Sequence, residues 1–438
     1  MSLLDCLATT DALSAVFSDE SVVTAMLEFE SALARGGAAA GLIPASAAQV
    51  ISEVALRGGF DTAAIASAAR GPATPTIPLV QALRERVQAI DRESAASVHA
   101  GATSQDVTDT ALILLVKQAR VPVAADHARL DAALRELSER HAATVMLGRT
   151  LLQPATPITF GLKVAGWTWG IARSWERLNK AWMRAQVIQF GGAAGTLAAL
   201  GEKGRRVVEE TARELDLRPV PPWHTNRDRL GVLISACGLH VAALGKAARD
   251  IALLMQAEVG EAAERGGGSS SMPQKQNPSG CAIVLAAAAS LPSLVAAYLT
   301  AMSQEHERSV GGSQAEWPIV ASAIQSTGAA VHALTHVIEG LTVDADRMRR
   351  NLDATGGTIY AERAAIRLAP SIGREQALRA VTDAVAETRQ AGVAFVQALR
   401  SKVGSTVSAD LLDDIDRPEE YLGSAEALRI QLLNDTEE

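Results

Sequence analysis

An all-α fold built around a bundle of long helices is predicted for this chain, and two observations carry the prediction. Aromatic residues make up only 3% of its 438 residues while alanine is abundant, a balance that favours helix over sheet. Three nearly proline-free segments, about 159–190, 226–265 and 279–302, are far longer than an ordinary strand. A chain of this length has material for two or three domains. The pattern divides it into a helical amino-terminal domain (1–105), a central long-helix domain (106–345) and a small helical carboxy-terminal domain (346–438).

Residues 18–41 and 77–90 space Val, Leu and Met as helices do, with Gly and Pro breaks between them. A polar stretch at 97–110 then leads into an apolar helix at 111–116. Within 226–265, Leu230, Ile234, Cys237, Val241, Leu244, Ala248, Ile251 and Met255 fall on one face, and Lys246, Arg249 and Asp250 lie off it. Gly231, Gly238 and Gly245 recur beside that seam, where they cost helix stability, so they mark the close approach of a neighbouring helix. A helix this long cannot bury its face alone, which implies a bundle shared between subunits. Beyond about residue 343 the helical segments shorten (344–352, 362–368, 374–399), and a turn at 417–423 precedes the last one.

Composition narrows the function classes. The formal charge is −8, from 41 Lys and Arg against 49 Asp and Glu, with no basic stripe, so nucleic acid is not expected as a partner. Cys6, Cys237 and Cys281 are far apart and in no metal spacing, which fits a reducing cytoplasm without disulfides. Asp5 stands where an export signal would carry positive charge. The apolar run 281–302 is interrupted by Ser290, Pro292 and Ser293; it is expected to be a helix in a protein core, with no membrane as partner.

Three stretches carry chemistry. Residues 266–278, Gly-Gly-Gly-Ser-Ser-Ser-Met-Pro-Gln-Lys-Gln-Asn-Pro, combine a glycine hinge, three hydroxyls, and a cation, Lys275, and an amide, Asn277, between two prolines. That is a mobile catalytic loop more than a linker. His99-Ala-Gly-Ala-Thr-Ser-Gln-Asp106 offers an imidazole and two hydroxyls, Thr103 and Ser104, one of which would also serve as a helix cap. The third is Leu147-Gly-Arg-Thr-Leu-Leu-Gln-Pro-Ala-Thr-Pro157. Gly191-Gly-Ala-Ala-Gly195 lacks phosphate-loop spacing and follows a helix, so it reads as a tight bend. His127, His141, His240, His332 and His336 are read as surface or capped histidines; no metal and no cofactor is expected.

The loop from Gly268 to Pro278 resembles the signature of the fumarase/aspartase superfamily at each fixed position. The resemblance implies Ser270 as the proton-transferring serine, Lys275 and Asn277 as the grip on a substrate carboxylate, and Thr103 and Ser104 as donors to substrate oxygens with His99 close by. It further implies a cofactor-independent homotetramer whose active sites are composite, each drawing on three subunits, with His99 and Ser104, Gln153, and Ser270 with Lys275 coming from different chains. The stretches Pro222–Arg229, Gln189–Gly201 and Gln304–Ser309, the last holding Arg308 as a substrate-binding cation, are similar to one branch of that superfamily, the bacterial 3-carboxy-cis,cis-muconate cycloisomerases or lactonizing enzymes.

Leu151 gives a chemical reason for the same branch. Other members carry histidine there, and a leucine cannot protonate a leaving group. A carboxylate departs as the conjugate base of an acid of pKa about 4 and needs no such help. The expected reaction is therefore closure of 3-carboxy-cis,cis-muconate to a carboxymuconolactone, in the protocatechuate branch of the β-ketoadipate pathway. Gln274 and Gln276 replace residues that are often basic in relatives, which leaves open a 3-sulfomuconate or similar substrate. A fumarate-releasing lyase of the adenylosuccinate lyase type is the further alternative.

Overall fold

The structure, a computed structural model, describes residues 3–268 and 271–435. The chain forms two compact units. One comprises the chain up to His127, Ser174–Leu244 and Ile283–Ala333; the other comprises Ala128–Arg173, Gly245–Ala282 and the chain from Leu334 on. Each boundary falls inside a long helix: Ser104–Arg140, Phe160–Ala185, Asp228–Leu254, Ser279–Ala301 and Gly312–Glu339. Among the described residues the fold is all-α apart from two short antiparallel strand pairs and one isolated parallel bridge.

In the first unit the helix Asp19–Ala39 is capped by Ser18, whose hydroxyl accepts the Ser21 N–H, and it buries Met26, Phe29 and Leu33. It packs on the helices Ala45–Arg57 and Gly204–Glu214. The expected seam of Asp228–Leu254 is buried from Leu230 to Ile251. Gly231 and Gly238 face the helix Ser279–Ala301 closely: a Cβ there would stand 3.3 Å from Met302 Sδ and 3.1 Å from Val295 Cγ2. A larger residue at either position would require the facing side chain to give way by a few tenths of an ångström.

Two helices were not legible at their full length. Ser104–Arg140 runs through Pro122, and Gly312–Glu339 through Pro318. An interior proline removes one hydrogen bond and costs about 3 kcal/mol. Burial of Val116, Ala119, Val123 and Leu130 around the first, and of Val320, Ala323 and Ile324 after the second, offsets that cost.

Two expectations are corrected. The helix Ser279–Ala301 is not in the core of its own chain, because only 22% of its most apolar window is buried. By length and composition alone, it and Asp228–Leu254 would suffice to cross a membrane. His127 and His240 are not surface residues; both are buried, His127 stacked on Trp175 at 4.1 Å and His240 Nδ1 2.9 Å from Ser174 Oγ. His141 does pair with Thr144 Oγ1, at 3.1 Å.

The second unit contains a hairpin of Val145–Thr150 and Gln153–Thr159, and Ala262–Ala263 pairs with Thr342–Val343. A separate core of Tyr360, Leu368, Phe395, Leu399 and Ile415 holds the helices Ala361–Ile372, Arg374–Ala391 and Phe395–Val403 together.

Candidate active site

Asp106, buried at the start of the helix Ser104–Arg140, organises the polar end of the first unit. Its Oδ2 accepts the backbone N–H groups of Thr103 (3.0 Å) and Gly192 (2.9 Å). Its Oδ1 accepts Gly191 N–H (3.0 Å) and Gln189 Nε2 (3.0 Å) and lies 2.9 Å from His224 Nε2. One carboxylate thus ties the His99–Asp106 loop to the 191–195 bend. Asp106 caps the Thr103 N–H, and the Thr103 hydroxyl serves another partner. It accepts from Arg308 Nη2 at 2.7 Å, and the same nitrogen reaches the carbonyls of Ala193 (3.0 Å) and Gly192 (3.4 Å). The Ser104 hydroxyl is on the first helical residue beside them.

The segment carrying Arg308 is anchored on both sides of a buried charge network. Arg227 donates to both oxygens of Asp109 (2.7 and 2.9 Å) and through Nε to Glu316 (2.8 Å). Gln304 Nε2 donates to Glu316 at 2.8 Å, and Thr225 Oγ1 donates to the carbonyl of His306 at 3.0 Å. Two carboxylates share one guanidinium here, and burial pushes the Glu316 carboxyl above its ordinary range. Trp317 is half-buried beside this network and lines a cavity of about 170 Å³ with Met26, Leu112 and Leu115.

His99 has a left-handed backbone, φ 61°, and its Nδ1 lies 2.6 Å from Glu30 Oε1. His99 also feels the charge of Asp106, the carboxylate that holds Thr103 and, through it, Arg308 in the same unit.

In the second unit the signature loop has a closed neck. Asn277 N–H donates to the carbonyl of Gly267 at 2.7 Å, and Gly267 has φ 70° with the Asn277 carbonyl so close that a Cβ would stand 2.0 Å from it. Glycine is obligatory at that position. Behind the neck, Glu264 accepts the N–H groups of Gly280 (2.7 Å) and Cys281 (3.2 Å) at the start of Ser279–Ala301. Burial, and then the Glu264 carboxylate, push the Cys281 thiol far above its ordinary value. Lys275 is exposed on the loop, and Asn277 Nδ2 reaches the Gly268 carbonyl at 3.4 Å. Ser270 lies outside the described residues.

Gln153 opens the second strand of the hairpin and pairs with Thr150, so Leu151 and Leu152 form a two-residue turn with φ 50° and 63°. Such turns prefer Asn-Gly, and two left-handed leucines cost about 1 kcal/mol or more each. Leu151 is 96% exposed within its own chain. Arg149, at the base of the hairpin, is held in a two-pronged pair with Glu261 (2.9 and 2.6 Å). Among the described residues no group of three His, Cys, Asp or Glu side chains is placed to hold a metal ion.

The residues that sequence reasoning missed are Glu30, Asp109, Arg227 and Glu316, together with the organising role of Asp106. Asp106 had a signal, its place three residues after Thr103 as in a capping box. Glu30 had none, since it sits among the apolar positions of its helix.

Long interrupted helices with a serine-rich, doubly proline-bounded loop and a Thr-Ser helix start define a class, and comparison agrees. A family model described as Lyase matches residues 6–292. The chain belongs to the fumarase/aspartase superfamily of lyases. It is 43% identical to a 3-carboxy-cis,cis-muconate cycloisomerase of Pseudomonas aeruginosa, over 97% of this chain and 94% of that one. It is 40% identical to a nitrosuccinate lyase of Streptomyces davaonensis, over 94% of this chain and 90% of that one. The crystal structure of the 3-carboxy-cis,cis-muconate lactonizing enzyme from Pseudomonas putida superposes with a TM-score of 0.93 at 40% identity, covering 98% of each chain.

Proposed function

We propose that the protein is a cofactor-independent cycloisomerase that closes 3-carboxy-cis,cis-muconate to a carboxymuconolactone in the β-ketoadipate pathway. The observation that carries this reading is Leu151, in a chain similar over nearly its whole length to enzymes of that name. One substrate carboxylate oxygen adds to the conjugated double bond, and the carbon beside another carboxylate takes up a proton. The intermediate is an aci-carboxylate dianion, which needs donors and cations around it. Lys275, Asn277, Thr103, Ser104, Gln153 and Arg308 supply them; His99 lies beside them, and Ser270 delivers the proton.

The serine is a weak acid and base in water and depends on Lys275 and on exclusion of solvent. The enzyme works as a cytoplasmic homotetramer with three domains per chain (1–105, 106–345 and 346–438) and composite sites. The largely uncovered apolar helix Ser279–Ala301 supports that assembly. The test is loss of the conjugated-diene absorbance of 3-carboxy-cis,cis-muconate. Ser270→Ala should lower turnover by several orders of magnitude with the assembly intact. Cleavage of adenylosuccinate or argininosuccinate by the unmodified enzyme would refute the reading.

A second reading rests on the similarity to a nitrosuccinate lyase. Elimination from nitrosuccinate would expel nitrite, an anion about as weakly basic as a carboxylate, which also leaves without a protonating histidine. Nitrite release from nitrosuccinate, with no consumption of the muconate, would select it.

A further inference from the structure

We propose that Glu30 is a positioning residue for His99: its carboxylate fixes the imidazole through Nδ1 and leaves Nε2 as the nitrogen presented to the substrate. This deepens the reading of His99 as a site residue and rests on it. Glu30 projects from the helix Asp19–Ala39, and its side chain is 0% exposed while that of His99 is 17% exposed. Glu30 Oε1 takes the ring at 2.6 Å, and Oε2 is buried with no hydrogen-bond partner. A buried carboxylate with one partner is costly unless that partner balances its charge. The left-handed backbone at His99 costs about 1–3 kcal/mol, a strain kept where it aims a side chain. Among the described residues Nε2 has no partner.

The charged groups that face the ring come from three helices: Glu30, Asp106 from Ser104–Arg140, and Arg84 from Thr76–Gln88. Burial by itself would lower the imidazole below its ordinary 6.5; the charge and hydrogen bond of Glu30, with Asp106, outweigh this and the opposing Arg84, so the ring stands above 6.5. His99 thereby remains a cation over a wider pH range. That suits a polycarboxylate in a chain that carries Gln274 and Gln276 on the signature loop.

The full-length enzyme, labelled with [13Cε1]histidine, tests this. The His99 resonance is identified by its loss in His99→Gln. In the wild type it should titrate above 6.5, and in Glu30→Gln at or below 6.5. The basic limb of kcat/KM for the muconate should move down with it, so activity at pH 8 falls about tenfold for each pKa unit lost, while activity at pH 6 stays within about threefold. Glu30→Asp should recover part of the shift. An unchanged titration in Glu30→Gln, or an equal loss of activity at every pH, would overturn the proposal. Should Glu30→Gln not fold, the wild type decides, since a His99 titration at or below 6.5 overturns it equally. Wild-type kcat/KM in His99→Gln would instead remove His99 from the site and with it the premise.

Discussion

Asp106→Asn should separate two loops that one carboxylate now joins. The amide oxygen can keep the three contacts of Oδ1, to Gly191, Gln189 and His224. The new NH₂ group then faces the N–H groups of Thr103 and Gly192, which Oδ2 now accepts at 3.0 and 2.9 Å. Each buried donor left without an acceptor costs about 1–3 kcal/mol, so the pair costs about 2–6 kcal/mol unless the loops move. Movement is the cheaper outcome, and a displacement of about 1 Å at Thr103 and Gly192 would carry Arg308 with them and lower kcat/KM about 100-fold. Hydrogen exchange followed by mass spectrometry on peptides covering 99–106 and 189–197 reads the local opening directly. A loss of about 1.4 kcal/mol already speeds exchange tenfold. Unchanged exchange in both peptides, with turnover within threefold of wild type, would show that the carboxylate is not what holds these loops.

His240 predicts an acid limit to stability. Burial, and then the charge of nearby His127, hold its imidazole well below 6.5, so the unfolded chain binds a proton that the folded one refuses. Stability from this group is complete above pH 6.5 and is lost as pH falls below it, by up to about 1.4 kcal/mol per pH unit. Urea midpoints at fixed protein concentration should show that slope in the wild type and not in His240→Met, and parallel curves would refute the assignment. Leu151→His should leave lactonisation within threefold, because the reaction has no leaving group that needs an acid, and should not weaken the hairpin, because the exposed left-handed position suits histidine better than leucine. A tenfold acceleration would sink the leaving-group argument.

Much of this protein was legible without coordinates. The helical periodicity of 226–265, the glycines beside its seam and the hinge-and-clamp grammar of 266–278 are local patterns, and they also identify the superfamily. Residues such as Leu151 carried chemical meaning through what a hydrocarbon side chain cannot do. The full lengths of Ser104–Arg140 and Gly312–Glu339, by contrast, were not legible, since each runs through a proline whose local cost says nothing of the packing that outweighs it. The apolar run 281–302 announced burial but not by whom.

The sequence by itself determined the helices, the signature loop and the residue types available for chemistry, because these depend on side chains a few positions apart. Only the tertiary structure decided which of them act together. Asp106 meets Gly192, Arg308 meets Thr103, Glu30 meets His99 and Arg227 meets Glu316 across 69 to 205 positions of chain. Such pairings are selected by the cost of burying a charge or an N–H group without a partner, and that cost exists only once the chain has closed around it.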